Sequence, residues 1–275
     1  MIIDCHTHTN HSPDSTAPLK QMCLQAKKQQ IGIYAITDHC ECEVYQQEGY
    51  QQSIQNSRNE INSLKPELES SDFKLLVGVE LAQPLQNPIA AKEVLSYPYD
   101  FVIGSIHALT GMQDFYFLDY RQYSDQELKQ LIERYLSQVY EMVCWGEFDT
   151  LAHLTYPLRY INGDHQRNIN LHQWDDQIRE IFKKLIEQEK ALELNTSGLR
   201  QKILTTLPEP DYIKLFHQLG GKYLTIGSDA HTPNDIGSGI EQGMAIAYQS
   251  GFRYLTYFQN RKPTLLEINS PSFLK

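Results

Sequence analysis

The sequence predicts an α/β protein in which helices cover a sheet of parallel strands. Seven short apolar runs, rich in branched side chains, alternate along the chain with segments whose apolar residues follow helical spacing. Each run ends at a polar residue, and successive polar ends are 27 to 46 positions apart, which leaves room for one strand and one helix. Regular alternation of this kind is typical of parallel sheets, because each crossover needs a connecting segment.

The seven predicted strands share one pattern, a short apolar run followed by a histidine, a carboxylate or an asparagine. In chain order the runs are residues 2–3 before His6, 33–36 before His39, 75–79 before Glu80, 101–104 before His107, 150–152 before His153, 191–194 before Asn195 and 223–227 before Asp229. Short runs of this composition indicate strands that are buried in the protein.

Six segments between these strands are predicted to be helices. In the segment 126–143 apolar residues recur at three-and-four spacing, and Ser124 with Glu127 forms a capping box ahead of it. Gly220 and Gly221 are expected to end the helix that runs through Ile213, Phe216 and Leu219. The other helices are expected at 18–30, 53–64, 178–186 and 235–250, and loops at 84–88 and at the aromatic-rich stretch 109–123.

Composition narrows the class of protein. Lys and Arg number 24 against 34 Asp and Glu, and the resulting net charge of −10 disfavours a nucleic acid as partner. No apolar run approaches the roughly 20 residues that span a bilayer, so no membrane partner is expected. No linker divides the chain, which predicts one domain over residues 1–275. An oligomer is possible, but nothing in the sequence indicates one.

The cysteines are interpreted as reduced thiols. The chain does not begin with the pattern of a signal peptide, which predicts a cytoplasmic location, where thiols stay reduced. Cys5, Cys23 and Cys144 are predicted to be small buried residues. Cys40 and Cys42 are predicted to be surface thiols, because their spacing does not match a zinc ribbon.

The polar residues at the strand ends are predicted to form one metal-binding cavity. In a barrel of parallel strands the C-terminal ends meet at one face, so residues far apart in sequence come together there. His6 and His8 point to the same side of a strand, which allows both to bind one ion. Histidines and carboxylates without cysteine suit Zn²⁺, Mn²⁺ or Fe, and the set is large enough for more than one metal.

The order of these motifs resembles that of the polymerase-and-histidinol-phosphatase (PHP) family of metalloesterases. The matching segments, which span residues 4–231, are Asp4-x-His6-x-His8, Thr37-Asp38-His39, Gly78-Val79-Glu80, Gly104-Ser105-Ile106-His107, His153 and Gly227-Ser228-Asp229-Ala230-His231. The resemblance implies a distorted, TIM-like (β/α)7 barrel with its metal site at the C-terminal ends of the strands. It also implies three divalent metals per chain, as Zn, Mn or Fe.

By this resemblance the metal ligands divide into three sets. They are His6, His8, Glu80 and Asp229 for the first metal, His39, His231 and Asp14 for the second, and His107 and His153, bridged to the first by Glu80, for the third. In the second set His11 is an alternative to Asp14.

The resemblance further implies a hydrolase of phosphate monoesters. The layout is similar to that of family members that hydrolyse histidinol phosphate to histidinol and phosphate in histidine biosynthesis, so a small phosphorylated substrate is expected. In this hypothesis a metal-bridging hydroxide attacks phosphorus, while the metals offset the charge of the phosphoryl oxygens. Glu80 and Asp229 are the expected catalytic carboxylates. The acid that protonates the leaving oxygen is either Asp229 or a metal-bound water.

Five further residues are candidates for contact with the substrate. Arg159 and Arg200 follow the fifth and sixth predicted strands, and a planar guanidinium suits bidentate binding of phosphate. Ser105 lies just after the fourth strand. Tyr116, in the aromatic loop, is a candidate to stack on an imidazole, and Glu43 is a candidate to meet an ammonium group.

Other functions stay open on the sequence alone. A nucleotide, phosphotyrosine or the end of a nucleic acid could replace histidinol phosphate as substrate, although the charge of −10 argues against a nucleic-acid strand. A metal-dependent amidohydrolase also begins with His-x-His and ends with an Asp strand. That class commonly has a lysine at the fourth strand end, where this chain has His107. A catalytically silent metal-binding module is the third possibility.

Overall fold

A barrel of seven parallel strands lies at the centre of the protein, whose structure, a computed structural model, describes residues 1–268. The described residues form ten strands in all, seven of which make up the barrel. They are β1 (Ile2–Asp4), β2 (Ile31–Ile36), β3 (His39–Glu41), β4 (Lys74–Ala82), β5 (Phe101–Ser105), β6 (Thr150–Leu151), β7 (Ala191–Asn195), β8 (Leu224–Gly227), β9 (Tyr254–Gln259) and β10 (Lys262–Glu267). The order around the barrel is β1-β2-β4-β5-β6-β7-β8, and every neighbouring pair is parallel. The short strand β3 pairs with the end of β4.

The sheet closes where its first and last strands meet. Cys5 N donates to Ile226 O at 2.9 Å, and Thr7 pairs in parallel with Ala230 beyond the ends of β1 and β8. Gly227 suits this seam, because a Cβ at its position would collide with the side chain of His6. The prediction of a TIM-like barrel of seven parallel strands is confirmed.

Helices connect the strands and cover the outside of the barrel. They are α1 (Leu19–Lys28), α2 (Tyr50–Leu68), α3 (Pro88–Leu95), α4 (Asp125–Trp145), α5 (Tyr156–Leu158), α6 (Asp175–Glu187), α7 (Pro210–Gln218) and α8 (Ile240–Gln249). The predicted capping box of α4 is present, since Ser124 Oγ accepts from Glu127 N and the Glu127 carboxylate accepts from Ser124 N. Gly220, at φ 102°, follows the end of α7 as predicted. No helix within residues 1–268 is both long and apolar enough to cross a bilayer.

Helix α3 and the hairpin β9–β10 are among the elements that were not predicted from the sequence, as are β3 and α5. Helix α3 begins inside the stretch predicted to be a loop, where Asn87 caps it by accepting from Ala90 N and Pro88 occupies its first turn. The antiparallel hairpin β9–β10 lies beyond the last predicted helix. Its Phe258 ring stacks on Phe101 of β5 at 5.4 Å between centroids, which attaches the hairpin to the barrel.

Three cysteine predictions were wrong. Cys40 and Cys42 are fully buried rather than on the surface, because the pairing of β3 with β4 draws this segment into the fold. Cys144 is exposed rather than buried, because it lies off the apolar stripe of α4. Cys5 and Cys23 are buried as predicted.

Candidate metal centre

Six histidines and one carboxylate cluster at the C-terminal end of the barrel. The carboxylate is that of Glu80 on β4, which is fully buried. The histidines are His6, His8, His39, His107, His153 and His231, and neighbouring rings among them lie 4.1 to 5.7 Å apart between centroids. The barrel therefore brings together residues that are more than 200 positions apart in sequence.

The two oxygens of Glu80 face different groups of rings. Oε2 lies 3.2 Å from His6 Nε2, 3.6 Å from His8 Nε2 and 3.0 Å from His39 Nδ1. Oε1 lies 3.0 Å from His107 Nε2 and 2.9 Å from His153 Nε2. Glu80 therefore lies between the histidines that were predicted for the first set and those that were predicted for the third.

Asp229 lies beside the two histidines that were predicted for the first set. Its Oδ1 lies 3.8 Å from His6 Nε2 and 3.5 Å from His8 Nε2. Its backbone has a φ of 55°, an unusual conformation for a non-glycine residue that costs about 1 kcal/mol or more and persists where the surroundings enforce it. The hydrogen bond from Asp229 N to His6 O at 2.8 Å is one such restraint, so the seam between β1 and β8 aims this carboxylate at the histidines.

Asp14, and not His11, lies beside the two histidines predicted for the second set. Asp14 Oδ2 lies 3.0 Å from His231 Nε2 and 3.5 Å from His39 Nε2. His11 instead places Nε2 at 2.7 Å from Glu60 Oε2 on α2. Of the two alternatives left open by the sequence, the structure groups only Asp14 with the other ligands.

The donor atoms are arranged as if around shared cations. His8 Nε2, His39 Nδ1 and His231 Nε2 are buried and approach carboxylate oxygens, yet none has a hydrogen-bond partner with acceptable geometry. His107 Nε2 and His153 Nε2 lie only 3.4 Å apart. Buried polar atoms without partners cost about 1–3 kcal/mol each, and metal coordination would satisfy them. Imidazole and carboxylate donors of this kind fit divalent Zn, Mn or Fe.

The charges in the cluster keep its carboxylates ionised. Burial alone would raise the pKa of Glu80, but the charges of His107, His6 and His39 hold that pKa well below its usual value. Burial has the same effect on Asp229, and there the charges of His6 and Arg159 prevail, so its pKa is also lowered. Ionised carboxylates are the form that binds metal.

Side-chain oxygens contact the Nδ1 atoms of three of the histidine rings and so orient them. His6 Nδ1 lies 2.6 Å from Glu193 Oε1, and His107 Nδ1 lies 2.9 Å from Glu41 Oε1. His8 Nδ1 lies 3.2 Å from Ser12 Oγ. A carboxylate on one ring nitrogen fixes the proton there and leaves the other nitrogen free for a metal. The sequence analysis missed Glu193, although an acidic residue within the apolar run 191–194 was a usable signal.

The two arginines border the cluster in different ways. Arg159 Nη2 donates to Asp229 Oδ2 at 3.0 Å and to Ser197 Oγ at 2.7 Å, while its Nε is buried without a partner. Arg200 donates to the carbonyl oxygens of Ser228 and Asp229 at 2.6 and 2.8 Å. Arg159 thus keeps a free donor beside the cluster, whereas Arg200 braces the backbone that carries Asp229.

The other substrate candidates occupy distinct positions. Ser105 Oγ, at the end of β5, is buried without a partner. Glu43 accepts from Gln83 Nε2 at 2.9 Å, and burial together with the charge of Glu41 raises its pKa to about 7. Tyr116 is 65% exposed and lies at the rim rather than inside the cluster, with its ring 5.8 Å from that of Tyr160.

Tyr156 is a residue of the site to which the sequence analysis gave no role. Its ring centroid lies 4.8 Å from that of His107 and 5.0 Å from that of His153. Arg159 Cζ lies 5.2 Å from the same ring. Tyr156 therefore forms a wall between the third ligand set and the arginine.

Comparisons with known proteins identify similar sequences and folds. A family model described as "PHP domain" matches residues 4–197. The chain is 28% identical to a probable histidinol-phosphatase of Clostridium acetobutylicum, over 95% of this chain and 98% of that protein. It is 32% identical to a probable histidinol-phosphatase of Thermotoga maritima, over 92% of this chain and 94% of that protein.

A solved structure is similar in fold. It is the crystal structure of histidinol phosphate phosphatase from Lactococcus lactis complexed with zinc, L-histidinol and phosphate. The TM-score is 0.77 at 24% sequence identity, and the match covers 96% of this chain and 98% of that chain.

Proposed function

Because this chain belongs to the PHP domain family, we propose that it is a metal-dependent phosphomonoesterase that hydrolyses L-histidinol phosphate to L-histidinol and phosphate. Two relatives, aligned over more than nine-tenths of the chain, are named probable histidinol-phosphatase. The similar Lactococcus structure holds the two products of that reaction together with zinc. A small phosphorylated substrate is part of the proposal.

One observation supports this function above the others, namely the position of Glu80 between two groups of imidazoles. A buried carboxylate must be paired with positive charge or coordinate a metal, and the two oxygens of Glu80 lie within 3.6 Å of five histidine nitrogens. We propose three divalent cations per chain, held by the three ligand sets, with Zn, Mn or Fe as the metals. Bound there, such cations supply Lewis acidity that activates water and offsets phosphoryl charge.

The residues of the chain have separate tasks in this proposal. The unpartnered Nε and the remaining donors of Arg159 bind the phosphate oxygens beside Asp229. Asp229, ionised and oriented by Arg159, accepts the proton of the attacking water as the new oxygen–phosphorus bond forms. It returns that proton to the leaving oxygen of the alcohol as the ester bond breaks. Glu80 holds the two ligand groups in fixed relation to each other.

Domain organisation and location belong to the same proposal. We take residues 1–275 as one domain, of which the structure describes all but 269–275. The five cysteines all lie in the described range and are free thiols, in keeping with a reducing cytoplasm.

A substrate panel tests the function. The metal-loaded enzyme is assayed on histidinol phosphate, a nucleoside monophosphate, phosphotyrosine, a phosphorylated DNA end and a simple amide. We expect the highest kcat/KM on histidinol phosphate. A preference for another phosphate ester would show that histidinol phosphate is not the substrate, but the protein would still be a phosphatase. Hydrolysis of the amide alone would identify an amidohydrolase, and no turnover of any compound would leave a metal-binding module.

A further inference from the structure

We propose that Asp114 is a specificity-determining residue that binds the ammonium group of the substrate beside the metal centre. This inference rests on the proposed function, because it assigns a partner to one functional group of histidinol phosphate. Asp114 lies in the loop between β5 and α4 and was not a candidate from the sequence.

Backbone and side-chain bonds hold Asp114 against the cluster. The next residue, Phe115, donates its N–H to His107 O at 3.0 Å, which ties the loop to a ligand residue. Asp114 Oδ1 accepts from Tyr116 N at 2.6 Å and from the Tyr156 hydroxyl at 3.1 Å. The ring of Tyr156 packs on His107 and His153. The side chain of Tyr156 therefore connects the Asp114 carboxylate to the third ligand set.

The carboxylate has no cationic partner of its own. No lysine, arginine or histidine nitrogen in the described part of the chain lies within 4.0 Å of it. Asp114 is half-buried, and burial raises its pKa, although the charge of His107 acts in the opposite direction. A partly desolvated carboxylate without a counter-ion favours a ligand that supplies positive charge.

The substrate carries its phosphate and its amine on neighbouring carbons, and the site places an anion-binding and a cation-binding side chain next to each other. In histidinol phosphate the amine is attached to the carbon next to the phosphate-bearing carbon, and the imidazole lies one carbon further on. Arg159, the proposed phosphate ligand, lies beside the ring of Tyr156, and Asp114 lies at the hydroxyl of the same side chain. One tyrosine side chain therefore lies between an anion-binding group and a cation-binding group. The rings of Tyr116 and Tyr160 border the same edge.

The test compares two substrates that differ only in the amine. They are histidinol phosphate and 3-(imidazol-4-yl)propyl phosphate, which lacks the ammonium group. Asp114→Asn keeps the Oδ1 acceptor for Tyr116 N and removes the charge. We expect kcat/KM for histidinol phosphate to fall about 10- to 100-fold, the range for a lost charged hydrogen bond, and kcat/KM for the deamino compound not to fall.

Asp119→Asn is the matched control. Asp119 caps the next short helical turn of the same loop through the same kind of bond, to Arg121 N, but its carboxylate pairs with the exposed Arg121. This variant is expected to keep the wild-type preference between the two substrates. Asp114→Glu, which retains the charge, should keep part of that preference and guards against a folding defect in Asp114→Asn. Melting temperature and metal content are measured for all variants.

The outcomes separate the inference from the proposed function. A wild type that hydrolyses both compounds, with a preference that Asp114→Asn does not change, overturns the role of Asp114 and leaves the phosphatase intact. An equal loss on both compounds also overturns it, because a structural role explains that result. If the wild type hydrolyses neither histidinol phosphate nor the deamino compound, the proposed function and the inference are overturned together.

Discussion

Glu193 on β7 lies 2.6 Å from Nδ1 of His6 on β1, and this contact determines which nitrogen of the His6 ring faces Glu80. Both side chains are fully buried. A carboxylate can only accept a hydrogen bond, so Nδ1 carries the proton and Nε2 is left for a metal. The same carboxylate accepts from His153 N at 2.8 Å, so Glu193 connects the first and third ligand sets.

Glu193→Gln should therefore weaken metal binding without removing a ligand. The amide can still accept from Nδ1, but it no longer makes the ring a stronger base. We expect metal affinity to fall about 10- to 100-fold, measured by competition with a chelator of known affinity. Glu187→Gln on the exposed end of α6 is the control and should bind metal as the wild type does. Equal affinity in the two variants would contradict the orienting role of Glu193.

Removal of metal should abolish activity and lower stability together. Without cations, the ring nitrogens of His8, His39 and His231 that lack a hydrogen-bond partner stay buried and unsatisfied. Ligands that bind only the folded state add about 2.7 kcal/mol at a free concentration 100 times Kd. Dialysis against a chelator followed by thermal unfolding and phosphatase assay measures both effects, and added Zn²⁺ or Mn²⁺ should reverse them. Full activity in protein shown to be metal-free would rule out the metal-dependent mechanism.

The strand ends could be predicted from the sequence because the barrel itself imposes their convergence. Each apolar run marks a buried strand, and parallel strands place their C-terminal residues at one face. His6, Glu80 and Asp229 meet for that reason, with no need to know their rotamers. Glu193 escaped the same reasoning because it lies within a strand. The residue that its side chain contacts depends on how the barrel closes at the seam between β1 and β8. That closure brings Glu193 to His6, which is 187 positions away in the sequence.

Other features depend on contacts that local patterns do not contain. Cys40 is buried because β3 pairs with β4, and the segment His39–Glu41 has no apolar run that would identify it as a strand. Tyr156 acquires its role only when the turn after β6 folds its ring onto His107 and His153. Cys144, by contrast, could have been placed correctly, because the helical period of α4 puts it off the buried stripe.

Arg159→Ala should impair catalysis while leaving the metals in place. The substitution removes a phosphate donor and also the hydrogen bond that orients Asp229. Loss of charged hydrogen bonds of this kind corresponds to a fall in kcat/KM of about 10- to 100-fold. Metal content should match that of the wild type, because the substitution leaves every predicted metal ligand, Asp229 included, in the chain. Arg121→Ala, at an arginine whose side chain is 80% exposed, is the control. An unchanged kcat/KM would remove Arg159 from the site.

Glu43 should make the stability of the protein depend on pH. Burial and the charge of Glu41 raise the pKa of Glu43 from 4.5 to about 7. The unfolded chain therefore releases this proton first, and folding loses stability as pH rises from about 4.5 to about 7. Glu43→Gln should remove that loss. The free energy of unfolding of the variant, minus that of the wild type, should therefore be larger at pH 8 than at pH 4.5. Urea unfolding at both pH values measures the difference. Glu48→Gln, at an exposed position, should show no such pH-dependent gain, and an identical gain there would contradict the assignment.

The second ligand set predicts that Asp14 and His11, three positions apart, respond differently to the same substitution. Asp14→Ala removes the oxygen that lies 3.0 Å from His231 Nε2 and 3.5 Å from His39 Nε2, so one metal per chain should be lost or bound much more weakly. His11→Ala removes only the contact with Glu60 on α2 and should leave the metal content unchanged. Elemental analysis of each purified variant, equilibrated at the same free metal concentration, gives the metal-to-protein ratio. A loss of metal in His11→Ala with full occupancy in Asp14→Ala would reverse the assignment, because it would mean that His11 leaves Glu60 to coordinate the second metal.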